Sequence, residues 1–258
     1  MAWARRASAT RAANAGNPGA SFNGGNLGAA TVTGDRIIAV VDTSMVSAQT
    51  HVTGVTSTGG GGVKWSRDFI IQAFHNSYFE ELAVWSGVCT ADGSVTAITF
   101  ALSPTMSASS GISCAIGAYS GLAVGLGLGV DQNGLQDIVQ AGFADLFGGN
   151  VSYDSGVTQI APNKPNLLVI GAHADAGNTS TLTAAGGFSV NVKTDVNSNG
   201  QCALQDKDLG AAGSPVRSTM TASVAGFDMS AVIVYRLLAG NTQPMARRPS
   251  IIRPGLSR

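Results

Sequence analysis

Ala91-Asp92-Gly93-Ser94-Val95-Thr96-Ala97-Ile98-Thr99-Phe100 decides the fold class. Asp-Gly is a hairpin-type turn, and the run from Val95 is almost wholly β-branched or aromatic. Alternation of apolar and polar side chains along it describes a strand buried on one face. The same signals recur outward from this stretch. Towards the N-terminus lie Arg36–Val41, His51–Ser57, Val63–Ser66 and Glu81–Ser86, and beyond Phe100 comes Ile112–Tyr119. Each is a short apolar or alternating run between turn residues, which predicts strands.

The second half repeats the order. Asn166–Ala172 echoes Arg36–Val41, Phe188–Val192 echoes Val63–Ser66, and Gln201–Gln205 echoes Glu81–Ser86. Thr219–Val224 then echoes Val95–Phe100, and Ala231–Tyr235 echoes Ile112–Tyr119, so that both halves close on an apolar strand ending in Tyr. The expectation is an all-β chain: a jelly-roll-like two-sheet β-sandwich with an internal pseudo-repeat, its halves interleaved. Leu135–Phe147 is assigned to the long connection between the halves, with a short helix as the alternative.

Composition agrees. Of 258 residues only 12% are charged while 34 are Gly, and Glu occurs only at Glu80 and Glu81. A chain so poor in helix formers has little with which to build surface helices. The apolar run Ile112–Val130 is interrupted by Gly117, Gly121, Gly125, Gly127 and Gly129, so a membrane span is not expected, and no apolar segment suited to a secretory leader follows Arg5 and Arg6. Cys89, Cys114 and Cys202 lack metal-type spacing and read as buried thiols.

The net charge of zero conceals a division. Residues 1–30 form an extended basic N-terminal arm with Arg5, Arg6 and Arg11; residues 239–258 form a Pro/Arg-rich C-terminal arm with Arg247, Arg248, Arg253 and Arg258; neither holds an acid. Without these seven arginines the sandwich domain, residues 31–238, has eight basic residues against 15 acids, a charge of −7. Basic arms on an acidic body favour docking on neighbouring subunits. Trp3, Arg5, Arg6 and Arg11 are the expected contacts of one arm, and Arg247, Arg248, Ile251, Ile252 and Arg253 those of the other. Nucleic acid is disfavoured as a partner, because so few arginines without interleaved aromatics leave a thin electrostatic footprint.

The order Asp35-Arg36-Ile37-Ile38-Ala39-Val40, Val63-Lys64-Trp65, Glu81-Leu82-Ala83-Val84-Trp85, the Gly-Ser-Val-Thr-Ala-Ile-Thr strand, Ala118-Tyr119-Ser120-Gly121-Leu122 and Asn166-Leu167-Leu168-Val169-Ile170-Gly171 resembles the jelly-roll-like β-sandwich modules of bacteriophage virion proteins (minor tail, tail-fibre and head-decoration proteins) and of some bacterial surface proteins. The resemblance spans roughly residues 35–238. It implies a structural or adhesive role and carries no catalytic residues. On it rests the expectation of a non-enzymatic virion structural protein at a tail tip, baseplate or fibre, made in the host cytoplasm and binding copies of itself and other virion proteins. Capsid decoration is the first alternative. A module binding host-surface carbohydrate through Trp65, Trp85, Tyr78 and Phe79 is the second.

No cofactor is expected, apart from one candidate ion site. Asp195-x-Asn197-x-Asn199-Gly200, with Asp206 at the twelfth position, follows a calcium-loop pattern of oxygen ligands; Asn199-Gly200 reads equally as a hairpin turn. His51, His75 and His173 are too scattered for a metal or triad motif, and Glu80 and Glu81 are adjacent, hence on opposite faces of a strand. No acid/base couple is visible in the sequence.

Overall fold

The computed structural model describes residues 2–13, 19–46, 50–59, 62–75, 78–104, 110–122, 150–158, 161–162, 167–176, 180–194 and 200–235. They form 15 strands: β1 Ala4–Ala13, β2 Ser21–Gly25, β3 Ala30–Thr31, β4 Arg36–Val46, β5 His51–Gly59, β6 Val63–His75, β7 Tyr78–Cys89, β8 Gly93–Ser103, β9 Ser110–Ser120, β10 Asn150–Val157, β11 Leu168–Ala176, β12 Leu182–Ala184, β13 Ser189–Thr194, β14 Gln201–Asp208 and β15 Arg217–Tyr235. The all-β antiparallel architecture is the one the sequence predicts.

The layering goes deeper than two sheets. A five-stranded sheet runs β1-β9-β4-β7-β6; a four-stranded sheet is built around β8 from β2, β3 and β5; a six-stranded sheet runs β10-β15-β11-β14-β13, with β12 on β15. Every strand pairing among the described residues stays within one half of the chain, so the halves do not interleave. The four-stranded sheet packs on one face of the five-stranded sheet through Phe22, Val52, Val55, Ile98 and Phe100 against Ile37, Ala39, Val41, Trp85 and Ile116. The opposite face carries Ile38, Val40, Leu82, Val84 and Ala115, which pack on Leu168, Ile170, Ala172, Leu204 and Ile233 of the second half. Behind that inner sheet, β10, β12 and the start of β15 close a further core through Tyr153, Leu182, Met220 and Ala222. Two sandwiches are stacked through their inner sheets.

Sequence pattern explains which strands lie inside. The run Ile37-Ile38-Ala39-Val40-Val41 is wholly buried and sends alternate side chains into two different cores. Continuous apolar runs suit strands covered on both faces. By contrast, β8 alternates buried Val95, Ile98, Phe100 and Leu102 with more exposed residues, as a strand with one face in water requires.

The inner sheets share a strand order, β9-β4-β7-β6 in one and β15-β11-β14-β13 in the other. One difference separates them. In the first half, β8 lies in the outer layer and β9 in the inner layer as separate strands. In the second half, β15 alone serves both layers: Arg217–Gly226 pairs with β10, and Phe227–Tyr235 pairs with β11. The expected strands Thr219–Val224 and Ala231–Tyr235 are therefore one strand. Gly226 stands at the transition, where an added Cβ would run into the Asp175 carboxylate and meet the Tyr153 hydroxyl at 3.0 Å.

The described residues of the expected N-terminal arm, 2–13 and 19–30, are not an arm outside the module. β1 pairs antiparallel with β9 from Ala4 opposite Ser120 to Ala13 opposite Ile112, and β2 joins the outer sheet beside β8. Composition suggested a segment unable to bury a core. The small inward residues Ala7 and Ala9 nevertheless pack against the first core, because β9 presents a ladder edge that any extended segment can complete. Residues 123–149, with the expected connection Leu135–Phe147, and residues 236–258, with the C-terminal arm, lie outside the described residues.

Candidate functional site

The N-terminal strand brings three of the sequence-predicted contact residues onto this chain's own body. Trp3 is half-buried, packs against the core between the two sandwiches, and meets Tyr119 edge to face at a centroid distance of 6.0 Å. Arg5 Nη1 donates to Asp206 Oδ2 on β14 at 3.2 Å. Arg6 Nε is 3.0 Å from Asp35 Oδ1 and 2.9 Å from Oδ2, and the Val32 amide also donates to that carboxylate. Arg11 is exposed on the same strand. The expected neighbour's pocket is, for Trp3, a pocket of the same chain. For Arg247, Arg248, Ile251, Ile252 and Arg253 the structure describes no position.

The seam between the sandwiches is held by two reciprocal hydrogen bonds from the tyrosines that close each half. Tyr119, at the end of β9, donates to Asp206 Oδ2 of the second half at 3.1 Å. Tyr235, at the end of β15, donates to Asp68 Oδ2 of the first half at 2.7 Å. Both tyrosines are buried, and burial followed by the facing carboxylate holds each phenol well above its ordinary range, so both remain donors. Burial also raises Asp206; Arg5 and the Tyr119 hydroxyl oppose that rise. The Arg36 guanidinium sits over the Tyr235 ring at 5.4 Å. The repeated terminal Tyr was visible in the sequence, but its acceptors were not, because each lies in the other half.

The calcium-loop reading changes with this geometry. Residues 195–199 lie outside the described residues, but Asp206 belongs to β14 and faces Tyr119 and Arg5. Among the described residues, no group of three or more His, Cys, Asp or Glu side chains is arranged to hold a metal ion.

The second sandwich encloses a polar network that the sequence reading missed. His173 and Asp175 are neighbours on one face of β11 and are wholly buried. Ser218 Oγ lies 2.7 Å from His173 Nε2, Gln205 Nε2 lies 3.0 Å from the same nitrogen, and Ser230 Oγ lies 2.8 Å from Nδ1. The amide donor at Nε2 assigns the proton to Nδ1, which donates to Ser230; Ser230 in turn reaches Asp228 Oδ2 at 3.5 Å. Burial pushes the His173 pKa down to about 3, so the ring is neutral. Asp175 Oδ2 accepts from Ser180 at 2.6 Å and from Gln201 at 3.2 Å. A serine, a histidine and a carboxylate thus stand in sequence, but all are wholly buried. They order the core and present no face to a substrate. Alternation at period two had already put His173 and Asp175 on one face; nothing local signalled that this face is covered.

Histidine also appears in the first sandwich. Glu81, wholly buried, accepts from Gln72 Nε2 at 2.8 Å and from the Val52 amide at 3.1 Å, and its Oε2 lies 2.7 Å from His51 Nδ1. The side chains of His75 and Tyr78 lie outside the described residues. Of the aromatics considered for sugar stacking, Phe79 and Trp85 are buried in the first core and Trp65 packs against it. Among the described residues the ring most open to solvent is Phe74, 65% exposed, on the edge strand β6 near Gln72.

All three cysteines are buried and unbridged. The described residues contain no helix long and apolar enough to cross a membrane. Against protein-family models, curated proteins and solved structures, the chain gives no match.

Proposed function

We propose that this chain is a non-enzymatic structural subunit of a bacteriophage virion, a tail-tip, baseplate or fibre component that joins its neighbours through sheet edges and terminal arms. One observation carries this reading. Among the described residues β1 ladders only with β9, and most of its side chains are exposed, the further ties to the body being the Arg5 and Arg6 ion pairs and the packing of Trp3, Ala7 and Ala9. A strand attached in that way can equally complete the β9 edge of a second copy, taking Trp3 to that copy's Tyr119 and Arg5 to its Asp206. The stacked sandwiches supply a rigid brick, and the matching strand orders of the inner sheets support one module written twice. Capsid decoration uses the same lacing on a different lattice.

The test is a disulfide trap. Ala7 and Ala118 are directly opposite in the β1–β9 ladder. In an Ala7→Cys/Ala118→Cys chain, oxidation is expected to yield covalent dimers and higher species on a non-reducing gel. Light scattering of the unmodified protein should show matching masses that shrink in high salt, where the arm's ion pairs are screened. Intrachain disulfide alone, with a monomeric mass at every concentration, would overturn arm exchange.

A second reading, a receptor- or carbohydrate-binding module, is favoured by exposed Phe74 two residues along β6 from Gln72, whose amide lies 3.0 Å from His51 Nδ1. A glycan array in which Phe74→Ser loses its signal supports that reading.

A further inference from the structure

The face of the first sandwich that meets the second is apolar over most of its area, but not at one end. Asp42 continues the face of Ile38 and Val40 on β4, Glu80 that of Leu82 and Val84 on β7, and Ser113 that of Ala115 on β9. Asp42 is directly opposite Ser113, and Glu80 is directly opposite Ser44, so that the two carboxylates are diagonal neighbours. Asp42 is 1% exposed, Glu80 5% and Ser113 0%. Neither carboxylate oxygen of Asp42, nor Glu80 Oε1, nor Ser113 Oγ has a hydrogen-bond partner among the described residues. Ser113, directly opposite Asp42, adds a neutral hydroxyl beside the acidic pair, and that hydroxyl also neighbours the Cys202 thiol.

The second sandwich closes over this pocket at Gly200. A Cβ there would lie 2.7 Å from Asp42 Oδ2 and 3.6 Å from the main-chain oxygen of Asp175. A side chain at this position would therefore crowd the Asp42 carboxylate, and glycine keeps it clear. Its electrostatics are one-sided. After burial itself, the causes that raise Asp42 are the carboxylates of Asp175 and Glu81, and those that raise Glu80 are Asp42, Asp175 and Asp228. A buried carboxylate without a hydrogen bond or a counter-charge is strongly destabilising. Either protons or a cation must balance the pair.

We propose that this pocket binds a calcium-type divalent cation, with both oxygens of Asp42, one oxygen of Glu80 and the Ser113 hydroxyl as ligands, and that the ion clamps the two sandwiches together. The donor set is all oxygen, which selects a hard cation over zinc or copper. Calcium takes about six to eight oxygens in flexible geometry, so main-chain oxygen and water complete the set around these four donors, whereas magnesium requires a strict octahedron. Two carboxylates match the ion's charge. The site is distinct from the Asp195–Asp206 loop pattern, which shares none of these ligands.

The experiment uses the full chain, stripped with EDTA and dialysed at neutral pH, then titrated with calcium chloride by calorimetry and melted with and without the ion. One bound calcium per chain is expected, and calcium at a hundredfold its Kd is expected to raise the melting midpoint by roughly 5–10 °C. Magnesium at the same concentration is expected to shift it far less. Asp42→Asn abolishes the calcium response, and its stripped form melts above the stripped parent, because the uncompensated charge is gone. Glu80→Gln serves the same purpose should Asp42→Asn not fold, and Ser113→Ala weakens binding while keeping both carboxylates. No heat and no shift with calcium, with a melting midpoint that rises on mild acidification instead, would show that protons balance the pair and overturn the proposal. Binding that survives Asp42→Asn but is lost in Asp195→Ala would overturn it equally, by moving the ion to the loop.

Discussion

Replacing Tyr119 with alanine is expected to cost about 4 kcal/mol, in the range of large aromatic deletions from cores. Tyr119 is wholly buried at the seam, touches Trp3, and donates to Asp206. The deletion opens a cavity between the sandwiches, frees the indole that pins β1, and leaves Asp206 with Arg5 alone. Against a total stability of about 5–15 kcal/mol for an ordinary domain, this brings the fold close to its limit. The removed contacts join the two halves, so the urea transition is expected to broaden or split into two phases. Tyr119→Phe keeps the ring and loses only the hydroxyl; about 1–2 kcal/mol is expected, and the same for Tyr235→Phe at Asp68. A double-mutant cycle between Tyr119→Phe and Asp206→Asn isolates the bond. A coupling energy of zero, with a single sharp transition in Tyr119→Ala, would mean that the seam does not hold the halves together.

The second large effect lies in the acid range. His173 titrates at about 3 in the folded chain because burial opposes its charged form, against about 6.5 when unfolded. A depressed pKa contributes stability that is fully present above the unfolded value and is lost as pH falls towards the folded one. Between pH 6.5 and about 3 the loss is on the order of 5 kcal/mol, from 1.36 kcal/mol per unit. Asp42, Glu80, Asp175 and Asp206 act with the opposite sign. Burial raises each of them, so their contribution is present at low pH and lost as pH rises through their folded values. The total curve is a contest, and a difference measurement separates the two. Stability of the parent minus that of His173→Gln, from urea melts at half-unit steps, is expected to fall steadily below pH 6.5. Parallel curves would place the imidazole in water rather than in the core.

Much of the strand layout was legible because it depends on local pattern. Ile37–Val41 and Leu168–Ile170 read as uninterrupted apolar runs, and both are doubly covered inner strands. Val95–Phe100 alternates, and it is an outer strand. The errors have a common cause. β1 is Ala- and Arg-rich, with nothing in its composition to bury it, and is recruited by the open edge of β9 more than 100 residues away. Thr219–Val224 and Ala231–Tyr235 fuse into β15 because Gly226 allows close approach, which a pattern of strand-like runs does not report.

The same division separates what sequence alone determined about this protein from what tertiary structure decided. Side-chain periodicity, turn chemistry and the scarcity of helix formers were enough to specify an all-β antiparallel chain, since each acts over a few residues. The stacking of two sandwiches, the crossed tyrosine–aspartate bonds, the buried His173 network and the pocket of Asp42, Glu80 and Ser113 were decided only by packing. Each depends on which face of a strand meets which other strand, and period two names the faces without naming their partners.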